Sequence, residues 1–368
     1  MKRVKILWVA MMILPFAFWG CQNKQEINVG VILPLTGSAA VWGQNAKMGI
    51  ELAYSEIEKE LASNDIKIRL MFEDSKSDTR TAVTLMQKMV SRERVQIVIG
   101  DIASSSVLAM APVAERNQVV LLSPGASNPD ISKAGSFIFR NWQSDALEGE
   151  ASANFVFNVL AQEEVGILYV NNGYGAGLMS SFTSKFQDFG GRIIANVSFE
   201  QDATNMRTQL NTLKNREIRT VYLPGYPKEM ALVLKQAQEL NYFPQFISTQ
   251  SFDDPFILDN VGDAAEGVIY TIPEPADSTS MTVRNFSQNY FKKFNKQPGV
   301  CSNTGYDAIR IVFYAIKNGA RSGNEFREFF HKIKDFDGAA GITTFDENGD
   351  VVRPFVFKTV KDSRFVNY

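Results

Sequence analysis

Short apolar runs alternate with amphipathic stretches from residue 27 onward, and the alternation runs through once and then begins again. Residues 27–34, 66–72, 95–99 and 119–122 read as strands. The stretches 43–63, 79–91 and 104–117 carry apolar residues at helical spacing, as in Ala46, Ile50, Ala53, Ile57 and Leu61. A helix at 145–161 opens the second series, with strands at 165–170, 192–198, 220–223, 246–248 and near 267–272. Helices at 178–189, 205–216 and 228–240 separate those strands, and helices at 280–296, 304–318 and 323–334 follow. The expected end is a hairpin of 342–346 and 351–358 around the turn sequence Asp346-Glu-Asn-Gly-Asp350. Strands separated by helices pair in parallel. The expected fold class is therefore α/β, with two Rossmann-like lobes built on parallel sheets and a ligand cleft between them. Lobe 1 comprises 27–143 with 274–348, and lobe 2 comprises 144–273 with 349–368. The chain would cross between them near 141–145, 272–276 and 346–351. A length of 368 residues suits two such domains better than one core.

Two facing α/β sheets turn the carboxyl ends of their strands toward a shared crevice, where loops and helix N-termini meet a ligand. The loop after 95–99 holds Ser104, Ser105 and Ser106 where a helix starts. One hydroxyl serves as a helix cap, and the same geometry attracts an anion. The next strand ends in Ser123-Pro-Gly-Ala-Ser-Asn-Pro129, in which Gly125 allows close backbone approach, Ala126 follows and Ser127 adds a hydroxyl. Together these loops make a carboxylate cradle. Trp42, Tyr174 and Tyr226 sit on equivalent loops and form an apolar wall, unless each merely packs its own loop. The run Gly173-Tyr-Gly-Ala-Gly177 invites a dinucleotide reading, but the third glycine of that fingerprint would fall at Leu178, so the match fails.

Absences narrow the chemistry further. One histidine, His331, excludes any multi-histidine metal site, and two cysteines, Cys21 and Cys301, exclude a disulfide framework or a four-cysteine zinc site. No metal or cofactor is expected. A net charge of −2, from 38 basic and 40 acidic residues, argues against a nucleic-acid partner. His331 lies in Glu325-Phe-Arg-Glu-Phe-Phe-His-Lys-Ile-Lys334, an ordinary amphipathic helix. The rival reading of an exported hydrolase rests on that residue alone, and the chain is read as a non-enzyme.

The first residues look like an address. Lys2, Arg3 and Lys5 precede an uncharged apolar run from 6 to 19, too short for a spanning helix, then Gly20 and Cys21. The alternative is a short membrane anchor. The stretch Phe18-Trp-Gly-Cys21 resembles a bacterial lipobox, with bulky Phe18 and Trp19 where that pattern prefers leucine and a small residue. Residues 1–20 are then a lipoprotein signal peptide, 21–26 a tether, and lipidated Cys21 the membrane tether. Losing three cations and no acids would take the net charge from −2 to −5. Cys301 would remain as a lone buried or half-buried thiol.

The chain resembles the type I periplasmic binding proteins, in the leucine/isoleucine/valine-binding branch. The resemblance covers nearly all of 27–360. It rests on Val-Gly-Val-Ile-Leu-Pro-Leu-Thr-Gly at 29–37, Ile-Gly-Asp-Ile-Ala-Ser-Ser-Ser at 99–106 and Leu-Ser-Pro-Gly-Ala-Ser-Asn-Pro at 122–129. It continues in Asn-Gly-Tyr-Gly-Ala-Gly at 172–177, Gly-Tyr-Pro-Lys-Glu-Met at 225–230 and Gly-Asp-Ala-Ala-Glu-Gly at 262–267. Tyr-Asp-Ala at 306–308 and Phe-Asp-Glu-Asn-Gly-Asp at 345–350 complete it.

The resemblance implies an exported, monomeric, lipid-anchored receptor, periplasmic or at the cell surface, that delivers an amino acid or related carboxylate or amide to an ABC permease. The ligand carboxylate would meet the Ser104 hydroxyl and groups at Gly125, Ala126 and Ser127, with Ser105 beside them and Trp42, Tyr174 and Tyr226 around the ligand. Close relatives hold the ligand ammonium with an acid where this chain has Gln250. Either Asp253, Asp254, Asp101 or Asp307 supplies that charge, or the ligand has no ammonium. Capture would proceed by hinge closure of the lobes. The alternative of the same fold is a ligand-sensing lipoprotein that feeds a signalling receptor.

Overall fold

The computed structural model describes residues 25–63 and 66–368; the expected signal segment and Cys21 lie outside them. The first sheet contains β1 (Gln25–Leu33), β2 (Ile66–Asp74), β3 (Ile97–Gly100), β4 (Val120–Ser123) and β5 (Ile138–Arg140). Its order is β2-β1-β3-β4-β5, and every pairing is parallel. β1 begins at Gln25, inside the stretch expected as tether, and pairs Gln25 with Ile66. Crossovers are made by α1 (Ala40–Ser63), α2 (Thr79–Ser91) and α3 (Ser104–Asn117).

Both faces of this sheet are buried, as parallel strands between helices require. Val29, Val31 and Leu33 join the cluster that holds Ala46 and Ile50 of α1. Ile32 faces the other way, onto Met86, Met89, Val107 and Met110 of α2 and α3.

After β5 the chain enters α4 (Asp145–Asn154), which ends in a π turn, Phe155–Val159. The second sheet then forms from β6 (Glu164–Val170), β7 (Arg192–Phe199), β8 (Thr220–Leu223), β9 (Gln245–Ser248) and β10 (Ile269–Pro273). Its helices are α5 (Gly173–Asp188), α6 (Arg207–Asn215), α7 (Pro227–Glu239) and α8 (Pro255–Val261). Next come α9 (Met281–Phe294), α10 (Ser302–Lys317) and α11 (Gly323–Lys332), which return to the first lobe. There α10 packs on α1 at close range: a Cβ on Gly49 would lie 2.0 Å from the Ser302 carbonyl oxygen, and one on Gly305 would lie 2.5 Å from that of Ala46. The two-residue-deep contact leaves no room for side chains larger than hydrogen at either point.

The C-terminal hairpin expected from the Asp346–Asp350 turn is not formed. That turn exists, with Asp346 N–H on the Asp350 carbonyl, but it does not join paired strands. Instead β11 (Phe336–Gly338) pairs with β12 (Gly341–Thr343). The strands β13 (Phe355–Lys361) and β14 (Arg364–Asn367) pair with each other and add antiparallel to β10. The second sheet is thus β14-β13-β10-β9-β8-β6-β7. Residues 351–354, expected within a strand, precede β13, and Asp350 is held in place by an ion pair with buried Arg140 on β5.

Among the described residues the chain passes between the sheets three times, after β5, after β10 and before β13. These crossings are bonded to one another: Arg353 Nη1 donates to the Asn141 carbonyl at 3.3 Å, and Glu274 N–H donates to the Pro354 carbonyl at 2.7 Å.

Candidate functional site

The serine loops are locked together by hydroxyls that accept backbone N–H groups. Ser123 Oγ donates to the Asp101 carbonyl at 2.7 Å and accepts Ala126 N–H at 2.8 Å. Ser104 Oγ, at the first position of α3, accepts the N–H groups of Ser127 and Asn128, each at 3.2 Å. With both acceptor positions taken, the Ser104 hydroxyl keeps its proton for donation. Ala126 is packed into the helix-covered face of the first sheet, so only its backbone is available to a ligand.

The three aromatics do not sit on flexible loops, as expected, but at helix starts. Asn172 Oδ1 caps α5 by accepting from Tyr174 and Gly175 N–H, each at 3.1 Å, so the glycine-rich segment is a first helical turn. Tyr226 precedes Pro227, the first residue of α7, and Trp42 lies in the first turn of α1. Trp42 stands edge-on to Tyr174 at 5.9 Å and to Tyr226 at 5.0 Å, and the tyrosines stack at 5.4 Å. This cluster joins the two lobes, and all three rings are buried.

Polar bonds close the same seam. Ser105 Oγ accepts Gly173 N–H at 2.7 Å, Asn128 Nδ2 donates to the Gly173 carbonyl, and Gln201 Nε2 donates to the Ser77 carbonyl at 2.9 Å. Each links a residue of the first lobe to one of the second, Ser105 and Gly173 at the starts of α3 and α5. Ser105, expected on the ligand, accepts this link and keeps its hydroxyl proton.

Behind the tyrosines lies a hydroxyl chain. Tyr174 OH bonds Thr249 Oγ1 at 2.8 Å, Thr249 bonds Ser251 at 2.6 Å, and Ser251 Oγ donates to the Gly225 carbonyl at 2.8 Å. Burial raises the Tyr174 pKa well above the ordinary phenol value, so the ring stays a neutral donor.

Gln250 is 4% exposed and opens a short 3-10 turn after β9. Its backbone N–H donates to Glu148 Oε1 at 2.8 Å and its Nε2 to Glu148 Oε2 at 3.0 Å, while its Oε1 has no partner. Glu148 also accepts from Thr271 Oγ1. Burial pushes its pKa up to about 7, against the lowering effect of Thr271 and Gln250. One turn earlier on α4, Asp145 is fully buried, and burial followed by the charge of Glu148 holds its pKa well above the usual range. The Ser127 hydroxyl is beside it, but neither Asp145 oxygen has a hydrogen bond of ordinary geometry.

The acids weighed from sequence are otherwise committed. Asp101 accepts from Ile102 and Ala103 N–H on Oδ1 alone, its Oδ2 being buried without a partner, and Asp307 accepts from Ala339 and Ala340 N–H with both oxygens. Asp254 caps α8, and Asp253 pairs with Lys358 at 2.7 Å and with Tyr270 OH. His331 touches the Phe139 ring and the Asp346 carbonyl.

A cavity of about 10 Å³ separates Trp42 and Tyr174 from Gly125, Ser127, Gln250 and Cys301. That is room for roughly one water. A larger one, about 430 Å³, continues on the hinge side past Trp142, Gln143 and Gln250 to Arg353. Gln250 borders both. A ligand larger than water reaches the aromatic cluster only if the lobes part.

The model of a periplasmic binding protein family matches residues 26–364. The chain belongs to that family. It is a type I periplasmic binding protein of the leucine/isoleucine/valine-binding branch. It is similar to the leucine-, isoleucine-, valine-, threonine- and alanine-binding protein of Pseudomonas aeruginosa, 24% identical over 352 residues that span 95% of this chain and 93% of that one. Among solved structures it resembles the leucine-binding protein LivK of Thermotoga maritima, with a TM-score of 0.87 at 28% identity, covering 93% and 97% of the two chains. An ABC-transporter solute-binding protein from R. palustris in complex with benzoate shares the fold, with a TM-score of 0.85 at 18% identity over 93% and 95%.

Within this periplasmic binding protein, sequence reasoning missed Trp142, Asp145, Glu148, Thr249, Ser251 and Thr271. The only signal for the two acids was their place, three residues apart in the first turn of a helix at an expected crossing. Acids there ordinarily complement the helix dipole, and nothing local says that they are buried. Cys301 lies in the cleft wall, and burial raises its thiol pKa, which keeps it protonated.

Proposed function

We propose that this binding protein captures a small carboxylate-bearing solute of the amino-acid class by closing its lobes, and presents the closed form to an ABC permease. The observation that carries the reading is the seam itself. Ser105 with Gly173, Asn128 with Gly173 and Trp42 with both tyrosines join two separately folded sheets at their strand ends, where a ligand of this fold class sits. Ser104, with its proton free, and the N-terminus of α3 supply the carboxylate site. The relatives' named ligands, leucine among them, support the solute class. Export and anchoring through lipidated Cys21 complete the proposal. Among the described residues no helix is long and apolar enough to cross a membrane, which fits a body held by its N-terminus.

A thermal-shift panel of amino acids, their amides, dicarboxylates and aromatic acids tests it. Ligand at 100 times its dissociation constant adds about 2.7 kcal/mol of stability, a readily measured rise in Tm. A flat response across the whole panel would sink the reading.

A further inference from the structure

With the lobes in contact, a solute finds little room beside the serine loops. The space there is about 10 Å³, whereas the hinge-side cavity measures about 430 Å³, within the ordinary range for a small-molecule site. Trp142, Gln250, Val300 and Cys301 border both, so one wall runs from Ser127 into the larger space. Ile272, Val283 and Phe286 add apolar surface to it there.

The far end holds polar groups that the protein itself does not satisfy. Arg353, on the last crossing, is 8% exposed. Its Nη1 donates to the Asn141 carbonyl at 3.3 Å and its Nη2 to Thr343 Oγ1 at 2.9 Å, and its Nε is buried without a partner. Among the described residues no carboxylate lies within ion-pair distance of it. Asp307 is the acid whose charge it feels, but that carboxylate accepts Ala339 and Ala340 N–H and lies 3.9 Å from Arg310. Two guanidiniums thus share one acid, and burial lowers the Arg353 pKa against the opposing charge of Asp307. Ala339 and Ala340 border the cavity together with Arg353, which puts the guanidinium at that end. Gln143, on the first crossing, is fully buried on the same cavity, and neither its Nε2 nor its Oε1 has a partner. Buried amides are ordinarily paired, and a buried cation without a close counter-charge is costlier still. The other ionised groups on this cavity are Lys358 and Asp253, paired at 2.7 Å, and Glu274, which is exposed. The unmet charge is therefore positive.

We propose that the solute carries a second acid at its distal end, seated in the hinge-side cavity on the Arg353 guanidinium, with the Gln143 amide donating beside it and the solute's apolar middle against Trp142 and Phe286. This rests on the solute-capture reading above and extends it: the first carboxylate stays at Ser104, and a solute whose tail is wholly apolar leaves the second seat unmet.

The test titrates matched pairs into the full chain by calorimetry. L-norvaline is set against L-glutamate, L-norleucine against L-2-aminoadipate, and L-2-aminooctanoate against L-2-aminosuberate. Hexanoate against adipate and octanoate against suberate repeat the comparison without the amine. The members of a pair have equal carbon counts and differ in a terminal methyl or carboxylate. The expected result is at least one pair whose diacid binds roughly tenfold or more tightly than its twin. Arg353→Gln should bring that ratio close to one, and Gln143→Leu should lower it. Arg353→Gln also loses the tie to Asn141, which weakens both members alike, so the ratio and not the affinity reads the subsite. Circular dichroism confirms that each variant is folded, and the ratio in the parent protein stands without them. Methyl twins that bind as well as their diacids at every length would overturn the inference and leave solute capture standing. So would a ratio unchanged in either variant. Binding of none of these probes, nor of any acid in the thermal-shift panel, would overturn both.

Discussion

The Ser105 hydroxyl accepts the backbone N–H of Gly173 at 2.7 Å across the cleft, so a residue of one lobe terminates the first turn of a helix in the other. Ser105→Ala leaves that N–H without an acceptor only in the closed form. A neutral hydrogen bond of this kind contributes about 1 kcal/mol, or roughly fivefold in apparent affinity. Calorimetry should show the loss, and small-angle scattering of the unliganded variant should show a larger radius of gyration. A variant as compact and as tight-binding as the parent would mean that the bond adds nothing to closure.

Trp42 is the aromatic that joins both tyrosines across the seam. It contacts Tyr174 and Tyr226 edge-on, and both belong to the opposite lobe. Trp42→Ala should weaken ligand binding by about 2 kcal/mol or more, the range of an interface hot spot, while the first lobe keeps its far-face core around Met86 and Met110. Stopped-flow dissociation should locate the effect in a faster off-rate. An affinity change below about threefold would show that the aromatic contact is incidental.

The acid under Gln250 makes stability depend on pH. Glu148 has a folded pKa of about 7 against an ordinary value of 4.5. Stability from this group is therefore complete below about 4.5 and is lost as pH rises toward 7, since the buried site resists ionisation. The Tm of the unliganded protein should therefore fall as pH rises through 7. The titratable groups around it are Asp145 on the same helix, Tyr174 on α5 and Tyr222 on β8, all shifted upward chiefly by burial. In Glu148→Gln the step near 7 should vanish from the Tm profile; a step that persists unaltered in the variant would assign it to another group.

Arg140 is fully buried and its charge is met by Asp350 on the last crossing. Asp350→Ala should cost about 3–5 kcal/mol in urea unfolding, because an uncompensated guanidinium is left inside. The double replacement Arg140→Met with Asp350→Leu should recover most of that loss. If the single variant lost less than about 1 kcal/mol, water must reach the guanidinium.

The α/β class and the two sheets were legible because buried parallel strands make continuous apolar runs, as in Val98-Ile99 and Val221-Tyr222-Leu223. β5 and α8 were not. β5 is three residues long, and α8 is a seven-residue helix opened by Asp254 and Pro255, too brief for a period to show. The C-terminal pairing failed because a turn sequence says that the chain bends, not which strand it then meets. In the candidate site, Ser104, Ser127, Trp42, Tyr174 and Tyr226 were expected together because each follows a strand, and the structure gathers them at the seam, the aromatics at helix starts. Glu148 was not, because what matters about it is a contact with Gln250 across 102 positions of chain, and no local pattern encodes that.

The three crossings, tied by Arg353 to Asn141 and by Glu274 to Pro354, decide which motions are available. A single linker would be a swivel, letting the lobes twist and splay in any direction. Three parallel segments, fastened side by side, behave as a door on its pins. Closure guided in this way would follow a narrow arc instead of a broad cloud of orientations, so that little orientational freedom would disappear when the door shuts. More of the contact energy gathered at the cleft is therefore left over as affinity for whatever solute enters it.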